Sequence, residues 1–282
     1  MFTKILLCSD GSPGADGATR YALWLARQLK AHLLVLHITD IRLLEGPLLA
    51  DLSGALGAQP YPALLSQFRE LQQTRAGAIL STIVAQCRER GVGCETIHAT
   101  GSLVHTLLEA EARADLVVLG QHGEHAQWGG GQLGSSVERM VRASTKPCLV
   151  VSEKFREPRH LLLAHDGSEE SMKALYRGIN LAVALQAAVT IVAACETGRE
   201  DGAAAHLQPA RELAETRGLK THAQLVHAAP EQAILQMTDE VDADLVVMGA
   251  YGHTRIREWI LGSVTSQVLR KSRVPVLLAR GT

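Results

Sequence analysis

Two glycine-rich stretches carry the residues best suited to chemistry. In the later one, Leu245-Val-Val-Met248 runs into Gly249-Ala-Tyr-Gly252, and nine residues further on stand Gly262-Ser263, then Val264-Thr265 and a helical pattern to Lys271. Gly249 and Gly252 allow backbone to approach a ligand closely and to take up positive φ without a Cβ clash. Gly262, Ser263 and Val264 would open a helix, whose first N–H groups lack intrahelical partners and whose dipole favours negative charge. Both properties suit phosphate. Hydrogen bonds to charged oxygens are worth about 1.5–3 kcal/mol each, so a handful of such amides could anchor a triphosphate without a lysine. The hydroxyls of Ser263 and Thr265 could add a contact to the phosphates or to a magnesium ion.

The earlier stretch is a looser version of the same pattern. Gly120-Gln-His-Gly123 precedes Gly134-Ser135-Ser136 by ten residues rather than nine, and that spacer contains Trp128-Gly-Gly-Gly131. One extra residue could be absorbed by a bulge or could displace the phosphate-facing amides.

The elements that must position these loops are written twice. Lys4-Ile-Leu-Leu-Cys-Ser-Asp-Gly-Ser12 lines up with His160-Leu-Leu-Leu-Ala-His-Asp-Gly-Ser168, without a gap through to Leu33–Ile38 against Val189–Ala194. Ala114-Asp-Leu-Val-Val-Leu-Gly120 matches Ala243-Asp-Leu-Val-Val-Met-Gly249, and both copies end in a proline-initiated apolar run, Pro147–Val151 and Pro275–Ala279. This predicts a first domain over 1–152 and a second over 159–282, joined by the charged Glu153–Arg159. The first copy holds about 27 extra residues within 39–90, read as a loop or short helices and then a long helix from about Ala63 to Arg90. That insertion could be a lid, a partner surface or decoration.

Within each copy, short β-branched runs fit strands buried on both faces. Helical spacing (Ala18, Tyr21, Ala22, Leu25, Ala26, Leu29) lies between them. Ser12-Pro13 and Ser168-Glu169-Glu170-Ser171 read as capped helix starts. Strand and helix in alternation imply an α/β fold of two repeated, doubly wound parallel sheets. Ligands on such sheets bind beyond the carboxyl ends of the strands.

Composition narrows the function. The chain has 282 residues, 46% hydrophobic and 20% charged, with a net charge of -1, so bulk disorder is excluded and no broad basic field exists for nucleic acid. Aromatics are only 4%, too few for a base-stacking platform. The five cysteines are unpaired in spacing, which with the lack of a signal-like start points to a reducing, cytoplasmic setting. The longest apolar stretch, Ile179–Cys195, is interrupted by Asn180, Gln186 and Thr190 and falls short of a membrane span.

The repeat and the glycine spacing together resemble the universal stress protein family in tandem form, over nearly the whole chain apart from the insertion. The resemblance implies a Rossmann-like fold of the adenine nucleotide alpha-hydrolase type and binding of ATP, with magnesium. It places Asp166 at the ribose with Gly167 and Ser168 beside it, and the backbone of Ala194 at the adenine edge. Met248, Gly249, Gly252, His253, Gly262, Ser263 and Val264 would line ribose and phosphates. In the first copy Asp10, Ile38, Gly120, Gly123, Gly134, Ser135 and Ser136 occupy the matching positions. It also implies pairing of the two domains through their last strands, further dimerisation, and nucleotide-dependent contacts with a protein partner in the stress response. Turnover would be no more than slow hydrolysis or autophosphorylation, since no general base is evident.

Other readings stand beside this one. Asp10 and Asp166 could simply start turns, and a nucleotide-independent stress scaffold would need none of the glycines. Gly129-x-Gly131-x-x-Gly134 fits a dinucleotide fingerprint in letters but lies too far from the strand ending at Gly120. Twelve histidines invite a metal reading, yet His122-x-x-His125 and Cys94-x3-His98 complete no four-ligand set, and His98 and His227 read as packing residues. The arginines around Arg255–Arg273 read as a solvated face.

Overall fold

Ten short strands hydrogen-bond into one continuous sheet in a computed structural model, which describes residues 1–40, 61–123, 133–195, 200–250 and 261–280. The first half supplies β1 (Lys4–Cys8), β2 (His32–Asp40), β3 (Cys94–Gly101), β4 (Leu116–Gly120) and β5 (Cys148–Val151). The second supplies β6 (His160–Ala164), β7 (Ala188–Cys195), β8 (Thr221–His227), β9 (Leu245–Gly249) and β10 (Val276–Ala279). The spatial order is β3-β2-β1-β4-β5-β10-β9-β6-β7-β8. Every pairing is parallel except β5 with β10, where Val150, Leu149 and Cys148 face Val276, Leu277 and Leu278 in antiparallel register. The doubly wound parallel fold is thus borne out in both halves. The last strands join the halves, as the resemblance implied.

The helices are α1 (Pro13–Leu29), α2 (Tyr61–Glu89), α3 (Leu103–Glu111), α4 (Ser135–Ala143), α5 (Glu169–Leu185), α6 (Glu200–Glu215), α7 (Pro230–Glu240) and α8 (Ser263–Lys271). Alternation along the strands sorts them into two layers. Ile5, Leu7, Leu33 and Val35 face one core with α1, α2, α5 and α6. Leu6, Leu34, Leu36 and Val117 face the other with α3, α4, α7 and α8. Strands apolar on both faces are what a sheet covered on both sides requires. The long helix expected from the insertion is α2; the remainder of the insertion, 41–60, lies outside the described residues.

Both expected serine caps form. Ser12 Oγ accepts from the Ala15 N–H at 3.2 Å, and Ser168 Oγ accepts from the Ser171 N–H at 3.1 Å. The segment between the halves is held rather than loose. Phe155 sits 4.8 Å from the Tyr21 ring, the Arg156 N–H donates to the Tyr21 hydroxyl at 2.9 Å, and Arg156 Nε meets the buried Asp244 carboxylate at 2.5 Å.

Candidate functional site

In each half the strand order reverses beside the first strand, between β1 and β4 and between β6 and β9. At the second reversal a cavity of about 330 Å³ opens, within the size range of small-molecule sites. Its walls come from six places in the chain, one of them Ser171 on α5. Ala164, His165 and Asp166 follow β6, and Val192 and Ala194 lie on β7. Pro230 and Ile234 open α7, Met248 and Gly249 end β9, and Gly262 through Thr265 open α8.

The start of α8 forms one wall. Gly262 is its N-cap, with φ -56° and ψ 147°, and no side chain caps the helix. The first intrahelical donor is Ser266, whose N–H reaches the Gly262 carbonyl at 2.9 Å, so the amides of Ser263, Val264 and Thr265 precede the helical ladder at the cavity. Of the other helix starts at the cavity, α5 has a serine cap that already satisfies an amide, and α7, also without a side-chain cap, begins with Pro230, which has no N–H to offer. An uncapped start beside a cavity presents N–H groups and a positive dipole end to an anion.

The structure brings together Asp166, Ala194, Met248, Gly249, Gly262, Ser263, Val264 and Thr265 of the residues expected from sequence. Gly167 and Ser168 stand just outside the wall, in the turn that caps α5. Gly252 and His253 lie outside the described residues. The turn reading of Asp166 is real: its Oδ1 accepts from the Ser168 N–H at 3.0 Å and the Ser168 hydroxyl at 2.6 Å. The same residue also lines the cavity.

Two expectations need correction. Gly249 does not use positive φ; that conformation belongs to Gly167, at 78°, in the Asp-Gly-Ser turn. Gly249 is needed for close approach, because a Cβ there would come within 3.2 Å of the Glu170 backbone at the start of α5. Thr265 lines the cavity, but its buried hydroxyl donates to the carbonyls of Ala250 and Gly249, at 3.2 and 3.4 Å. It holds the loop, which leaves Ser263 as the exposed hydroxyl at the helix start.

Sequence reasoning missed His165, Ser171, Pro230 and Ile234. His165 is 3% exposed, and its Nδ1 lies 3.0 Å from Ser171 Oγ. Burial holds its pKa below the ordinary histidine value; Asp166 opposes this and His206, 6.1 Å away ring to ring, adds to it. The imidazole is therefore neutral at neutral pH and serves as a hydrogen-bonding wall rather than a charge. Its place directly after β6 was the available signal, as was that of Pro230 at the first position of α7.

The first half places its matching residues differently. Asp10 Oδ1 accepts from the Ser12 N–H at 3.0 Å, as in the second half. Gly123, however, lies against that carboxylate, where a Cβ would be 2.9 Å from Asp10 Oδ2. The Gly134 N–H donates to the Gln121 carbonyl at 3.2 Å, and Ser135 and Ser136 open α4 behind an equally uncapped Gly134. Ile38 is a half-buried neighbour of the core, and Gly120 ends β4 against the Gly14 backbone. As in the second half, where His206 of α6 covers Gly167, Ile79 of α2 covers Gly11; a Cβ would meet these side chains at 2.4 and 2.8 Å. The rest of this loop, 124–132, is outside the described residues.

Among the described residues no three His, Cys, Asp or Glu side chains gather as a metal set. His98 and His227 hydrogen-bond within the sheet, to Thr39 at 3.1 Å and to Cys195 at 3.3 Å. No helix among the described residues is long and apolar enough to cross a membrane.

Fold and site define a tandem, doubly wound α/β protein with a small-molecule-sized crevice at the switch point of its second half. The chain belongs to the universal stress protein family, whose sequence model matches residues 1–152 and again 157–280. A universal stress protein of Synechocystis is 35% identical over 98% of this chain and 99% of its own length. One of Mycolicibacterium smegmatis is 28% identical over 98% of this chain and 96% of its own. The crystal structure of a universal stress protein from Archaeoglobus fulgidus superposes with a TM-score of 0.77 at 21% identity, over 99% of this chain and 98% of that one, a likeness of fold.

Proposed function

We propose that the second half binds an adenine nucleotide, ATP by preference, and that the protein acts in a cytoplasmic stress response by changing its contacts with itself or a protein partner when the nucleotide is bound. The observation that carries this reading is the uncapped start of α8 facing a 330 Å³ cavity whose far wall is apolar. The residues fit the group. The amides of Ser263, Val264 and Thr265 suit phosphate oxygens, the Asp166 carboxylate suits ribose hydroxyls, and Val192, Ile234 and Met248 offer apolar surface to a purine. Ser263 Oγ is the hydroxyl available to a magnesium ion travelling with the triphosphate.

The first half is proposed to be closed to the nucleotide, because Gly123 occupies the space beside Asp10. The reading is of binding rather than turnover. Titration calorimetry with Mg-ATP on nucleotide-stripped protein tests it: one equivalent per chain is expected, two would open the first half, and none in a folded sample would leave the nucleotide-independent scaffold.

A further inference from the structure

All five cysteines are free thiols, and two of them meet. Cys87, in the last turn of α2, is fully buried, whereas Cys94, the first residue of β3, is half-buried. The turn between them is fixed at both ends. The Val92 N–H donates to the Cys87 carbonyl at 2.9 Å and the Gly91 N–H to the Arg88 carbonyl at 3.2 Å, with Gly91 at φ 66°. These are the bonds of a helix that closes on a left-handed glycine. On the strand side Cys94 pairs in register with Leu33, whose N–H reaches the Gly93 carbonyl at 2.9 Å. Both side chains turn to the same core, and the two thiols are within hydrogen-bonding reach of each other.

The other half builds the same turn without sulfur. The Leu219 N–H donates to the Ala214 carbonyl at 3.3 Å and the Gly218 N–H to the Glu215 carbonyl at 2.9 Å, with Gly218 at φ 77°. Ala214 thus stands where the first half has Cys87. Thr221, which pairs with Val189 as Cys94 pairs with Leu33, stands where it has Cys94. The fold of the turn therefore does not call for the thiols. Among the described residues, which include all five cysteines, no other two are so placed. Cys8 and Cys148 lie on β1 and β5 with β4 between them, at least about 9–10 Å apart in backbone. A disulfide spans about 4.4–6.8 Å between Cα atoms. Cys195 belongs to the other half, against His227 at 3.3 Å.

The difference in exposure orders the chemistry. A small hydroperoxide meets Cys94 first. The Cys94 thiolate attacks the peroxide, an S–O bond forms and the O–O bond breaks; the sulfur is oxidised to a sulfenic acid and the leaving oxygen departs as water or an alcohol. Burial, and then the neighbouring Cys94 thiol, push Cys87 up to about 12, with Arg90 opposing, so Cys87 does not compete for the oxidant. Its sulfur then attacks the Cys94 sulfur. The S–S bond forms, the S–O bond breaks, and hydroxide leaves as water with the Cys87 proton. Exchange with a free thiol restores both cysteines.

We infer that Cys87 and Cys94 form an oxidative modification site, at which a hydroperoxide oxidises Cys94 and Cys87 closes an intramolecular disulfide that staples the end of α2 to the start of β3. The same helix carries Ile79 over Gly11, so the staple fixes the element that covers the Asp-Gly-Ser turn of the first half. The site shares no residue with the crevice at α8 and is independent of the nucleotide reading.

Peptide mass spectrometry tests it on the full, reduced chain, treated with hydrogen peroxide, alkylated in urea and digested without reductant. Trypsin leaves Cys87 in peptide 76–88 and Cys94 in peptide 91–113, so a bridge joins two separate peptides that dithiothreitol releases. The expected result is loss of two of the five alkylatable thiols, Cys87 and Cys94, in chains that stay monomeric on a non-reducing gel. Cys87→Ala, which adopts the residue of the second half, should leave Cys94 as a sulfenic acid that dimedone traps. Cys94→Ser should leave Cys87 alkylatable. Circular dichroism reports that both variants are folded. Both thiols intact after peroxide, Cys94 driven to sulfinic acid with Cys87 free, joined peptides only in chains cross-linked to one another, or no dimedone label on folded Cys87→Ala would overturn the proposal.

Discussion

A Cβ on Gly14 would run into the carbonyl oxygen of His122, and the matching position in the second half is Glu170. The glycine lets the chain beyond β4 fold down onto the first turn of α1, and that descent sets Gly123 against Asp10. Gly14→Ala is therefore expected to destabilise the protein by about 1–3 kcal/mol through the forced backbone shift. Helix propensity alone would favour alanine by at most about 1 kcal/mol, so the clash decides the sign. Urea unfolding measures it; a neutral or stabilising result would mean the loop lifts away at little cost.

The start of α8 can be tested by removing one amide without breaking the helix. Ser263 is the first helical residue, where proline is tolerated, and Gly262 already has the extended ψ that precedes proline comfortably. Ser263→Pro deletes an N–H and a hydroxyl at the cavity and should weaken Mg-ATP binding about tenfold or more. Ser135→Pro, its equivalent at the start of α4, should leave ATP binding unchanged. Equal losses from both, or none from Ser263→Pro, would remove the phosphate assignment to α8.

Much of this architecture was legible because the chain states it twice. Repetition separates real elements from chance periodicity, and residues placed at or just beyond strand ends, such as Gly249 and Asp166, were found at the crevice. What could not be read depends on distances between segments far apart in the chain. Gly249 looked like a conformational glycine, yet it is a packing glycine whose constraint comes from Glu170 on another helix. Thr265 looked like a ligand hydroxyl, yet it ties down Ala250. The difference between the halves looked like one extra spacer residue, whereas Gly14, outside both glycine loops, shapes the first half as much.

Thr265 gives a way to separate loop support from ligand contact. Its hydroxyl is buried and bonded to the carbonyls of Gly249 and Ala250. Thr265→Val should cost about 0.5–1.5 kcal/mol of stability, the net worth of one such hydrogen bond. Mg-ATP affinity should change by less than about threefold once the variant is measured well below its unfolding temperature. A large affinity loss with little change in stability would return the hydroxyl to the ligand.

His165 should make stability depend on pH in a predictable direction. Its pKa in the folded protein is lowered by burial, with Asp166 opposing and His206 assisting, and His37 and His160 are lowered as well, burial again the main cause. In the unfolded chain a histidine titrates near about 6.5. As pH falls below that value the unfolded state takes up protons that the folded state refuses, so stability is full above it and is lost as pH drops through the lowered folded values. The melting temperature should therefore fall from neutral to mildly acidic pH. His165→Asn keeps a polar group where Nδ1 meets Ser171 Oγ but cannot titrate, so its melting temperature should decline less steeply over that window, by no more than one proton's worth of slope. Thermal unfolding of both proteins across the range decides the matter: parallel pH profiles would show that His165 does not titrate between the folded and unfolded states.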